Sequence, residues 1–128
     1  PAMATLPPSF RHIRLELARE RSHPVGDPTH GYDILAPLKE DGTLDAEAWR
    51  GNKAACRVRR FRPGEDDAIG HLARRPDGQW FFDYDEGSED DETGFRLGEE
   101  RFVVGEYISI REDDEEMHTF QVITVDRP

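Results

Sequence analysis

The chain has 128 residues, with 17 Lys and Arg against 28 Asp and Glu, giving a formal net charge of −11 and a pI near 4.8. That length predicts one domain with room for a real core, and the charge excludes a protein that coats nucleic acid or an anionic membrane with its whole surface. At 35% apolar and 35% charged the chain is polar for a globular domain, but its apolar residues are clustered and periodic, which argues for folding.

Residues 1–9, with Pro7 and Pro8, predict a loose lead-in to a β-rich domain over 10–128. From His12 to Arg19, Ile13, Leu15 and Leu17 alternate with Arg14, Glu16 and Ala18, the period of a half-buried strand. Glu20 to Gly31, holding Pro24, Gly26 and Pro28, predicts a long loop, and Tyr32 to Ala36 a second strand stopped by Pro37. Asp45 is a suitable N-cap for a short helix through Trp49. Cys56 to Phe61 predicts a third strand. There Cys56 and Val58 share a face that Phe61 does not, so a bulge is expected near Arg59-Arg60.

Ile69 to Arg75 and Gln79 to Tyr84 follow as strands around the hairpin turn Arg75-Pro76-Asp77-Gly78. Phe95-Arg96-Leu97 predicts a short strand, and Arg101 to Val104 a possible extension. Tyr107 to Glu112 and Met117 to Val125 form a last hairpin around Asp113-Asp114-Glu115-Glu116. About seven short antiparallel strands and one short helix predict a mainly β fold, a small barrel or sandwich. Barrel closure would remove sheet edges that few helices could cover.

Four features are candidates for function. The run Asp83 to Glu92 contains seven carboxylates in ten residues, and no Lys or Arg lies between Arg75 and Arg96. Such charge cannot be buried unpaired. The run, including Asp85, Glu86, Glu89, Asp90, Asp91 and Glu92, therefore reads as a solvated loop, a cation site or a docking surface for a basic partner. A calcium loop fits poorly, because Gly87 falls one position early and the twelfth position is Gly94 rather than Glu.

Arg57, Arg59, Arg60 and Arg62, with Phe61, form a local cationic stretch suited to phosphates and base stacking. Pairing with carboxylates on neighbouring strands is the simpler expectation in so acidic a chain. His23, Asp27 and His30, with Asp33 nearby, offer metal-ligand chemistry at no established spacing, while His12, His71 and His118 stand isolated. Cys56 reads as a small buried apolar residue beside Arg57, without a local acid–base partner. The serines lack a nucleophile-elbow context, and no Gly-rich phosphate loop is present. No catalytic residue and no cofactor is therefore assigned from sequence.

The segments His30 to Leu38, Cys56 to Glu65 and Gly105 to Arg111 resemble those of small uncharacterised bacterial proteins of the alphaproteobacterial type, over most of the chain. That resemblance implies a bacterial, cytoplasmic setting and supplies no activity. A single cysteine, no apolar run long enough to span a bilayer, and an opening Pro1-Ala2-Met3-Ala4 without a secretory pattern point the same way. The main expectation is a non-catalytic β-domain that binds a protein partner or forms a homodimer, with no membrane partner and with nucleic acid disfavoured by charge. The alternatives are a metal-dependent enzyme or small-ligand binder using residues 23–33, and local RNA binding through strand 57–62.

Overall fold

A computed structural model describes residues 6–20, 24–85, 92–94, 99–112 and 114–128, with 92–94 described by their backbone. The long strands are β1 (Phe10–Leu17), β2 (Asp27–Pro37), β3 (Arg57–Phe61), β4 (Ala68–Arg74), β5 (Trp80–Tyr84), β7 (Tyr107–Arg111) and β8 (Met117–Asp126). These seven are antiparallel and form one curled sheet, with β1 paired to both β2 and β8. A three-residue strand, β6 (Glu92–Gly94), lies between β5 and β7 and closes the ring, although Thr93↔Arg111 is its one register pair with β7. Seven strands thus make most of a barrel, and β6 completes it thinly. The mainly β expectation with one short helix holds.

Alternation builds the core. Ile13, Leu15 and Leu17 of β1, Tyr32, Ile34 and Ala36 of β2, Ile108 and Ile110 of β7, and Phe120 and Val122 of β8 are all buried. Tyr32 packs on Phe82 and edge-on to Phe120, with ring centroids 5.3 and 5.0 Å apart. These rings fill the interior, as expected for a barrel this small.

Two glycines permit the tight coiling. A Cβ on Gly31 would lie 1.9 Å from the Leu15 carbonyl oxygen, and one on Gly70 would lie 2.2 Å from that of Asp83. Only glycine lets the backbones approach so closely.

The register defines two ends. At the end where β1 begins, Asp45 caps helix α1 (Ala46–Arg50) by accepting from the Ala48 N–H at 3.1 Å. Trp49 from this helix packs edge-on to Trp80, centroids 5.0 Å apart, and its indole N–H donates to the Leu72 carbonyl at 2.8 Å. This helix end is closed by apolar packing with its polar tip satisfied. At the other end, where β1 and β7 finish and β2 and β8 start, closure is ionic.

Three local expectations change. Strand β2 begins at Asp27, because pairing continues past Gly31 through an irregular register at Glu16/Leu17. No bulge interrupts β3: its pairing with β2 and β4 runs without a shift, Arg60 takes the inward position, and Phe61 faces outward beneath Arg14 and Arg59. Residues 101–104 form no strand. The strand expected at Phe95-Arg96-Leu97 lies outside the described residues.

Candidate functional site

The ionic end is organised around Glu112, which is 3% exposed. Ile108 and Ile110 point inward, and Glu112 continues their alternation one step past the end of β7. Its carboxylate accepts a short hydrogen bond from the Tyr32 hydroxyl. It also lies 3.2 Å from His30 Nε2, 3.1 Å from Arg62 Nη2 and 3.8 Å from His118 Nε2. Burial pushes the Glu112 carboxyl pKa up. Hydrogen bonds from His30 and Tyr32, with the charges of His30 and Arg62, outweigh burial and hold it at about 2.

His118 extends this network to the surface. Its Nδ1 is 3.2 Å from both Glu20 oxygens and its Nε2 is 2.8 Å from Asp114 Oδ2. A neutral imidazole has one N–H, so carboxylates at both nitrogens require the imidazolium. Burial pulls the His118 pKa down, but the hydrogen bonds to Asp114 and Glu20 and the charges of Glu112 and Asp114 raise it overall. Asp114, Glu116 and His118 bring one ligand atom each within 4.8 Å of one another. Both His118 nitrogens face carboxylates, Glu20 at Nδ1 and Asp114 at Nε2.

The described candidates from sequence engage different partners. His30 turns toward Glu112, whereas Asp27 Oδ1 accepts from the Thr29 N–H at 2.9 Å and from its hydroxyl at 2.5 Å. His23 lies outside the described residues, as do Glu86, Glu89, Asp90 and Asp91, and Glu92 is described only as backbone in β6. Asp85 is exposed, with its carboxylate 3.7 Å from His71 Nδ1. Of the four arginines, Arg59 binds Asp33 and lies 3.0 Å from Asp67, while Arg62 binds Glu112. Arg60 is buried with its guanidinium 5.0 Å from the Tyr84 ring centroid, and Arg57 alone of the four is exposed. Cys56 is fully buried and burial pushes its thiol up to about 12, so no thiolate nucleophile is available near neutrality.

The outer surface carries open grooves. One, of about 810 Å³, runs beside Val25, Tyr107 and Ile123. A second, of about 680 Å³, lies at the helix end. Its wall is built by a loop docking on a turn: the Phe102 N–H donates to the Gly42 carbonyl at 2.8 Å, and Arg101 Nε donates to the Asp41 carbonyl at 3.1 Å. Gly42 has φ +90°, and a Cβ there would lie 2.9 Å from Val103 Cγ2. Phe102 is thereby buried, and Val103 and Val104 are left 38% and 61% exposed.

Comparison with protein-family models, with curated proteins and with solved structures found no match to this chain. No helix among the described residues is long and apolar enough to cross a membrane.

Proposed function

We propose that the protein is a non-catalytic β-barrel domain that binds another protein through its outer surface, in the bacterial cytoplasmic setting that the sequence resemblance implies. One observation carries this reading. The interior is filled by Tyr32, Phe82, Phe120 and the aliphatic residues around them, while Val25, Val104 and Tyr107 remain largely exposed outside. A carrier that encloses its ligand in a barrel of this kind would keep space inside for it. Exposed apolar residues that line grooves offer surface for a protein partner to cover.

The ionisable groups support the same reading. Glu112, whose carboxyl pKa is held at about 2, is engaged by Tyr32, His30 and Arg62, an arrangement that holds a charge in place rather than freeing a base. The arginine stretch favours internal pairing over RNA for the same reason.

The test is affinity capture with native mass measurement, comparing the full chain with Val104→Asp and Tyr107→Asp variants. The expected result is a defined complex, or a dimer, that a surface variant removes while the fold is retained. A monomer that captures nothing at any salt concentration contradicts the reading.

A further inference from the structure

The groove at the helix end has an electrostatic character opposite to that of the chain. Its floor and wall are apolar, from Leu38, Phe102, Val103, Val104 and Val125. Its rim carries three cations on three separate segments: Arg11 in β1, Lys39 after β2 and Arg127 after β8. Glu40 is the one carboxylate residue lining it among the described residues. The net charge of the lining is thus 3 − 1 = +2, in a chain of −11. Among the described residues no salt bridge ties Arg11, Lys39 or Arg127, although Lys39 is near enough to Asp41 for its charge to help lower that carboxyl pKa. Arg11 Nη1 donates to the carbonyls of Pro8 and Phe10 at 2.6 and 2.7 Å, which fixes it at the rim.

We infer that this groove docks an acidic peptide segment bearing large apolar side chains, supplied by a partner protein. The inference rests on the protein-binding reading and gives the partner its chemistry. Apolar side chains would cover Val103, Val104 and Val125, and carboxylates would meet the three separated cations. The spread of charge over three segments suits several carboxylates along a chain better than one headgroup. The groove is also too open to enclose an alkyl chain, as a lipid carrier must.

The overall negative charge does not forbid this partner. The ionic end lies the length of β1 away, about 27 Å for eight residues at ~3.4 Å each. Screening at physiological salt acts over about 8 Å. A segment in the groove is therefore screened from the ionic end and meets the three rim cations together with Glu40, and with Asp41 beside Lys39.

The probe is a short, soluble, acetylated and amidated peptide of Glu and Leu, followed by fluorescence anisotropy with the full chain. Its counterparts replace Glu by Lys, or Leu by Ser. The Glu–Leu peptide is expected to bind saturably, and both counterparts about tenfold or more weaker. Val104→Asp, and Lys39→Glu with Arg127→Glu, should each weaken it by about tenfold or more with the circular dichroism spectrum unchanged. Binding that ignores these variants, or equal binding of the Lys–Leu peptide, overturns the inference.

Two further outcomes separate it from the broader reading. If the Lys–Leu peptide binds and Val25→Asp removes it, the protein-binding reading stands and the acidic-peptide inference falls. If no peptide binds and the chain is monomeric and partnerless, both fall. A dimer broken by Val104→Asp assigns the groove to a second copy and also overturns the inference.

Discussion

The two ends of the barrel are sealed by opposite means. At the helix end, Trp49 and Trp80 meet edge-on and the indole N–H is satisfied by Leu72. At the ionic end, Glu112 is buried among Tyr32, His30, Arg62 and His118. Apolar closure is insensitive to pH and leaves nearby cations available at the surface. Ionic closure ties protonation to stability and consumes its cations internally. An acidic chain can therefore present a groove lined by three cations and one carboxylate residue at the helix end.

The largest expected effects come from breaking either seal. Glu112→Ala should cost about 3–5 kcal/mol, because Arg62 and His30 lose the carboxylate that compensates them. Trp49→Ala should cost a similar ~3–5 kcal/mol through the cavity and the Leu72 carbonyl left without its donor. Urea unfolding near neutrality measures both. The two seals should also differ in their response to pH. Glu112 has a folded value of about 2, below its ordinary 4.5, so its contribution is complete above 4.5 and is lost as pH falls toward 2. That shift corresponds to roughly 3 kcal/mol. Acid titration of Trp49→Ala should keep this dependence, and that of Glu112→Ala should lose it.

A smaller effect of opposite sign is expected at His118. Its folded pKa is raised above 6.5, so its contribution is complete below 6.5 and is lost as pH rises through the folded value. His118→Asn should therefore destabilise by about 1 kcal/mol under mildly acidic conditions, with the difference shrinking in alkaline solution. Denaturation midpoints on both sides of neutrality give the sign. Val104→Asp should change stability least, within about 0.5 kcal/mol, since that side chain is largely exposed.

Much of the fold was legible because alternation carries it. Ile13-Leu15-Leu17, Ile108-Ile110 and the turn at Arg75–Gly78 stand in the structure as their pattern requires. The Gly78 N–H donates to the Arg75 carbonyl, and the Arg75 N–H to that of Gln79, each at 2.8 Å. The ionic end was less legible because polarity masks parity. Glu112 follows Ile110 by two, His118 precedes Phe120 by two, His30 precedes Tyr32 by two, and Arg60 and Arg62 follow Val58 by two and four. Each keeps the inward parity of its strand, and reading that parity through polar residues would have gathered them at one end. Placing a bulge at Arg59-Arg60 to bring Phe61 inward hid this for β3. The groove was illegible for another reason: Lys39, Val104 and Arg127 are far apart in sequence and meet only when the Phe102 loop docks on Gly42.

If the ionic end serves stability and the groove at the helix end serves binding, mutation should separate the two. Titrating the Glu–Leu peptide into Glu112→Gln and Val104→Asp, at a temperature where near-ultraviolet circular dichroism shows both folded, measures that separation. Wild-type affinity is expected for Glu112→Gln and a loss of about tenfold or more for Val104→Asp. Binding lost in Glu112→Gln and kept in Val104→Asp would contradict it.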